Sequence, residues 1–269
     1  MVLAQNPFHW RGTVTEAEAF VGREAEMRSI LVRLSSLGCI SIVGDRRIGK
    51  SSLLYQVSRR AAEALGAACR PVYVDLLSAK HHSLDGLLTT IHHALTGEQV
   101  ALLGWTPAEK LASLETTVRK VRGAGLLPVI FLDEFECVGA RPQEFGDDLL
   151  ESWRSLGNDR QIAFVTSSAQ SLDRVTQESG LTSSFYNIFA QSRLGEFTEA
   201  EARAFAENAR QVGDFAAGDD ELLLRVGGQH PLRLQVTAWH LFEARRSGGV
   251  EEAALAKAVA GDLASVIKS

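Results

Sequence analysis

Residues 41–54 read "SIVGDRRIGKSSLL", and this stretch decides the fold. An apolar, β-branched run stops at Gly44, two arginines follow, and Gly49-Lys50-Ser51-Ser52 leads back into apolar sequence. Gly44-Asp45-Arg46-Arg47-Ile48-Gly49-Lys50-Ser51 fits G-x-x-x-x-G-K-[ST], the phosphate-binding loop or P-loop. Each part has a physical task. Gly44 and Gly49 are expected to allow backbone angles that turn successive N–H groups inward as an anion nest. The helix starting near Gly49 adds its positive N-terminal end. Lys50 is expected to reach the β- and γ-phosphates, Ser51 to ligate Mg²⁺, and Ser52 to approach the α-phosphate. The implied anion is a nucleoside triphosphate.

The segments around this loop alternate between short apolar runs and helical spacing. Strands are predicted at 39–43, 70–76, 126–136 and 161–168, with a fifth at 187–195. Helical patterns occupy 14–36, 49–65, 84–96, 107–122 and 144–156. This order predicts an α/β fold, a P-loop NTPase parallel sheet flanked by helices. Strands stop after about residue 196, where "FTEAEARAFAENARQ" offers Thr198 as an N-cap with Glu201 three residues on. Further helices follow as a small C-terminal helical lid subdomain. The expected divisions are 1–36, an N-terminal segment and helix; 37–196, the α/β core; and 197–269, the lid.

The second half of the site is "VIFLDEFE", four apolar residues ending in acids at the carboxyl end of a predicted strand. Asp133 is expected to hold Mg²⁺ through water, opposite Ser51. Glu134 is placed to polarise the attacking water. In the neighbouring strand "FVTSS", Thr166 or Ser167 puts a hydroxyl near the γ-phosphate; a hydroxyl at a strand end is also common without any such role.

Composition sets the bounds. The chain has 269 residues, 45% hydrophobic and 23% charged, enough for a substantial core. Its net charge of -5 argues against broad electrostatic binding to nucleic acid but leaves a local basic patch open. Cys39, Cys69 and Cys137 have no metal-like spacing and read as reduced thiols of a cytoplasmic protein. The start lacks a signal-peptide pattern, and no apolar stretch is long enough for a membrane span. His81, His82, His92 and His93 crowd one segment, but adjacent pairs diverge on a helix and no further ligand completes a set.

The ends of the chain carry a family resemblance. Asn6-Pro7-Phe8, then Phe20-Val21-Gly22-Arg23-Glu24 with Glu26, precede the P-loop, and "VGGQHPLRLQ" follows the core. Together they resemble the signal-transduction ATPases with numerous domains (STAND), within the wider AAA+ group. The resemblance implies that Phe20, Val21, Gly22 and Arg23 lie beside adenine and ribose. It implies that Pro231 approaches the base or sugar and His230 the phosphates, although Gly228-x-x-Pro231 is one residue longer than the family's glycine–proline spacing. Trp10 sits in the segment that would flank the base. The adenine preference comes from the resemblance too. No arginine follows the fourth strand, so Arg154 and Arg193 are the candidates for a γ-phosphate contact, in the same chain or on a neighbouring subunit; the plainer reading of each is a surface ion pair.

These readings predict a switch that binds ATP or ADP with Mg²⁺ between core and lid and hydrolyses ATP slowly. Nucleotide state would be coupled to lid movement, to self-assembly as a homo-oligomer, or to a protein effector or sensor on a separate chain, in signalling or defence. The rival reading is a DNA-associated AAA+ ATPase of the loader or transposition-regulator type. The acidic balance and the lack of an evident winged-helix extension count against it. A small-molecule kinase would need an acceptor pocket that the sequence does not identify.

Overall fold

The computed structural model describes residues 5–267. The chain forms two compact units. One comprises Ala25–Asp45 and Lys50–Leu194; the other comprises the chain up to Glu24, Arg46–Gly49, and everything from Gly195 onward. The N-terminal segment, set apart at 1–36 by its sequence, therefore divides at Glu24.

The larger unit runs α1 (Glu24–Leu34), β1 (Cys39–Val43), α2 (Lys50–Leu65), β2 (Cys69–Asp75), α3 (Leu84–Thr96), α4 (Pro107–Gly123) and β3 (Leu127–Asp133). It continues through the four-residue α5 (Glu136–Gly139), α6 (Asp147–Asn158), β4 (Ala163–Ser168), α7 (Leu172–Glu178) and β5 (Phe189–Arg193). Every strand pair is parallel, in the order β2-β3-β4-β1-β5. β4 thus lies between the strand that leads into the P-loop and the strand that ends in Asp133. Parallel strands deliver all of their following loops to one edge of the sheet, which puts the two sequence motifs at the same edge.

The central strands are buried on both faces, as the near-continuous apolar runs of β1, β3 and β4 require. Side chains alternate between the faces. Cys39, Val72, Val74, Ile130, Leu132 and Phe164 join the cluster built with α3, α4 and α6, centred on the fully buried Trp153. The other face, carrying Phe131, Asp133 and Ser167, meets α2, which packs against β2, β3 and β4.

Two element boundaries differ from the sequence pattern for a backbone reason. The helical spacing at 14–36 yields a helix only from Glu24, because Gly22 and Arg23 sit at φ +78° and +69°, outside the right-handed helical region. The run 126–136 ends as a strand at Asp133 because Glu134 turns to φ +56°. The short α5 and α7 have too few residues to show a helical period, and the sequence reading missed both.

The second unit contains α8 (Glu199–Val212), α9 (Asp219–Gly227), α10 (Pro231–Arg246) and α11 (Glu252–Ile267). The capping box at Thr198 and Glu201 forms as its sequence predicts. Phe8 enters the core of these helices, stacked on Phe215 at 5.5 Å and edge-on to Phe242. Asn6 Nδ2 donates to the Trp239 carbonyl at 3.1 Å and to Glu243 Oε1 at 2.9 Å. The Asn-Pro-Phe sequence thus straps the N-terminus to α10. Trp10 packs at the edge of the same cluster with the Arg11 guanidinium over its ring.

Candidate functional site

β1 ends at Val43, and Gly44 N donates to the Ser168 carbonyl at 3.3 Å. Asp45, Arg46 and Arg47 are exposed. Within the loop the left-handed backbone falls on Arg47 (φ +66°) and Gly49 (φ +98°). A Cβ at Gly49 would meet nothing within 4 Å, so the glycine is required by its backbone angle rather than by crowding. α2 begins at Lys50, with no acidic residue in its first turn to compete for an anion. Lys50 is buried, and its ammonium donates to the carbonyls of Gly44 and Asp45, each at 2.9 Å. Burial lowers its pKa; the carboxylates of Glu134, Glu136, Asp133 and Asp45 act in the opposite direction.

Ser51 lies one residue into α2 and donates to Asp133 Oδ1 at 3.1 Å. The two residues thought to share a metal ion are therefore side by side. Asp133 is 4% exposed and accepts several bonds. Oδ1 also takes the Glu134 amide at 3.2 Å and the Ser167 hydroxyl, while Oδ2 takes the Tyr73 phenol at 2.7 Å. Glu134 N bridges to Ser167 Oγ at 3.2 Å as well, and Phe135 N donates to the Ser167 carbonyl at 2.8 Å. Glu136 Oε1 accepts from Ala169 N. The acid turn after β3 and the end of β4 are thus laced together, and Gly44 joins the same strand end from the other side.

This geometry corrects the expectation for Thr166. The hydroxyl that reaches Asp133 belongs to Ser167. Thr166 is one residue earlier, so its side chain points to the α3, α4 and α6 face of the sheet. It is fully buried there, and among the described residues Oγ1 has no hydrogen-bond partner. Sequence reasoning also passed over Tyr73 and gave Glu136 no role. The available signal for Tyr73 was a tyrosine flanked by Val72 and Val74 in a predicted strand, because a buried phenol needs a partner.

The upstream and downstream motifs lie in the other unit. Phe20 and Val21 are half-buried, and Gly22 and Arg23 are buried. The Arg23 guanidinium donates to the carbonyl of Gly195 at 2.5 Å, with longer contacts to those of Ile48 (3.4 Å) and Glu196 (3.5 Å). It lies 4.7 Å from the Phe197 ring centroid, and its amide donates to Glu201 Oε1 at 2.7 Å. The guanidinium thus ties the 46–49 segment to the chain after Gly195. Pro231 opens α10 at a position where proline is favoured, and the half-buried His230 is that helix's N-cap residue. Arg154 is paired with Glu151 at 2.5 Å on the surface of α6, and Arg193 ends β5 exposed.

The donor set suits Mg²⁺. Ser51 and Asp133 offer two hard oxygens, and among the described residues no group of three or more His, Cys, Asp or Glu could enclose a metal. An ion held by so few protein ligands must take phosphate and water oxygens for the rest, as Mg²⁺ does. Among the described residues no helix is long and apolar enough to cross a membrane.

Comparisons with known proteins bear on the fold and the family. The AAA domain family matches residues 32–175, more than half of the chain. No curated protein matches by sequence. Among solved structures, the Walker-type ATPase PABY2304 of Pyrococcus abyssi superposes with a TM-score of 0.70 at 15% identity, over 96% of this chain and 76% of that one. The Aeropyrum pernix ORC2 protein, solved as ADPNP and ADP complexes, gives 0.65 at 17% identity, over 93% and 73%. Domain III of the Thermotoga maritima replication initiation protein DnaA gives 0.59 at 12% identity, over 93% and 98%. At these identities the likeness establishes the fold, a parallel P-loop sheet flanked by helices. With the family match over β1 to β4 and the loop and acids in place, the chain belongs to the AAA domain family of P-loop ATPases.

Proposed function

We propose that this protein binds and hydrolyses ATP with Mg²⁺, and that the bound nucleotide controls its assembly on DNA. The observation carrying the chemistry is the Ser51–Asp133 pair at 3.1 Å, set beside the buried Lys50. In this reading the amides of residues 44–52 cradle the phosphates and Lys50 turns from its loop carbonyls to the terminal phosphate. Ser51 and Asp133 hold the cation, which supplies charge neutralisation when bound. Glu134 accepts a proton from the attacking water, and Ser167, rather than Thr166, orients it from β4. On the sequence resemblance alone, Phe20, Val21 and Gly22 flank the base and Pro231 the sugar.

The DNA-associated reading draws on the likeness to the ORC2 protein and to DnaA domain III. The signalling-switch reading has less support, because the solved structures that superpose well include an ORC2 protein and a replication initiation protein. A net charge of -5 weakens non-specific attraction to DNA without removing a local basic surface.

The test uses the purified protein with ATP, with ADP and without nucleotide. Glu134→Gln should bind ATP and lose turnover, whereas Lys50→Ala should lose affinity. Unchanged turnover in Glu134→Gln overturns the base assignment. Duplex affinity should be greatest in Glu134→Gln with ATP, and log K should fall linearly with log salt. Equal affinity in all nucleotide states overturns the DNA reading and leaves the ATPase reading standing.

A further inference from the structure

Asp133 has two carboxylate oxygens in different surroundings. Oδ1 meets Ser51, Glu134 N and Ser167, all belonging to the P-loop helix, the acid turn or the end of β4. Oδ2 accepts the phenol of Tyr73 at 2.7 Å, from the neighbouring strand β2. Tyr73 pairs in register with Phe131, two residues before the acid, so its side chain and that of Asp133 lie on the same face. The ring of Tyr55, on α2, meets the Tyr73 ring edge-on at 5.5 Å and 80°, which fixes how the phenol can turn. Tyr73 is therefore locked from one side by the P-loop helix and donates to the acid on the other.

The two bonds differ in what they can do. The Ser51 hydroxyl carries one proton and two lone pairs, so it can face a cation and still donate to Asp133 Oδ1, which makes that bond part of the cation site. The Tyr73 bond involves no group of the P-loop or the acid turn, and it can persist whether or not the cation is bound. A carboxylate held by Oδ2 keeps one rotation about its Cβ–Cγ bond, and that rotation leaves Oδ1 facing Ser51. Outer partners of this kind orient metal-binding carboxylates.

We propose that Tyr73 is a positioning residue for the divalent cation, holding Asp133 Oδ2 so that Oδ1 is presented beside Ser51. This rests on Asp133 being the cation's carboxylate, as proposed above. The alternative is that the phenol merely satisfies its own burial, in which case its loss would alter stability and leave metal dependence unchanged.

The experiment measures ADP affinity by calorimetry, first in EDTA and then across a Mg²⁺ titration. It compares the full chain, Tyr73→Phe, Asp133→Asn and the double variant. Tyr73→Phe keeps the ring against Tyr55. It should match the parent in EDTA and need about tenfold more Mg²⁺ to reach half of the Mg²⁺-dependent gain in affinity. Asp133→Asn should remove that gain, and adding Tyr73→Phe to it should change nothing more. An unchanged Mg²⁺ midpoint in Tyr73→Phe, with the gain lost in Asp133→Asn, overturns the role of Tyr73 alone. Weakened ADP binding by Tyr73→Phe in EDTA also overturns it, since the residue would then act on the whole site. If Asp133→Asn keeps the full Mg²⁺ gain, the assignment of Asp133 falls and Tyr73 with it.

Discussion

Arg23 provides the sharpest test of how structure and resemblance divide. The resemblance places it beside the nucleotide; the fold buries it to 3% exposure with its guanidinium on backbone carbonyls. Among the bonds that Arg23→Ala removes are a short charge-assisted one, to Gly195 at 2.5 Å, and two long ones, to Ile48 and Glu196. The short bond contributes about 1.5–3 kcal/mol, with the long contacts adding little. The stacking on Phe197 contributes about 1 kcal/mol more. The expected loss is therefore roughly 3 kcal/mol, a fall in melting temperature of about 6–12 °C for a chain of this size. Differential scanning calorimetry without nucleotide reads it directly. Arg23→Lys should recover little, because an ammonium cannot span the separated carbonyls as the guanidinium fork does. A normal melting temperature for Arg23→Ala without nucleotide, together with a loss of ATP affinity, would refute the structural reasoning and restore the ligand contact.

Other outcomes follow from the same geometry. ATP with Mg²⁺ at about a hundred times its dissociation constant should add roughly 2.7 kcal/mol of stability, visible as a rise in melting temperature; a melting curve indifferent to every nucleotide would count against the site. Thr166→Val replaces a buried, unpartnered hydroxyl with a methyl of similar size, and should leave turnover unchanged and stability equal or up to about 1 kcal/mol higher. Ser167→Ala should lower turnover instead, and the reverse ranking would return the role to Thr166. Glu201 carries the pH prediction. Burial raises its pKa, but bonds from Thr198 and the Arg23 amide prevail and hold it below 4.5 in the folded state. A depressed folded pKa means stability that is present above the unfolded value and lost as pH falls through the folded one. The stability gap between the parent and Glu201→Gln should therefore be full at neutral pH and narrow on acidification below 4.5. A gap that widens in acid would contradict the assignment.

The parts legible in the sequence are those that local chemistry dictates. A P-loop is a contiguous run whose glycine, lysine and serine have fixed offsets, so it can be read without knowing any neighbour. The strand ending in Asp133 and the cap at Thr198 and Glu201 are local in the same sense. Parallel strands then place the loops after β1 and β3 at one sheet edge, which follows once the alternation of elements is recognised. The order β2-β3-β4-β1-β5 carries no local signal, because it depends on which strands pair across long separations.

Only the tertiary structure decided which side chains share a face and what each one meets. Thr166 and Ser167 are adjacent and both carry hydroxyls; the pleat sends one into the core and the other to Asp133. Arg23 looks like a ligand contact beside a glycine, yet the fold brings carbonyls from Ile48, Gly195 and Glu196 around it. Tyr73 lies 60 residues before the acid it holds, and no spacing rule connects them. The physical reason is the same each time. A motif specifies backbone shape and donor type over a few residues, whereas a hydrogen-bond partner is fixed by packing between segments that the chain brings together only when it folds.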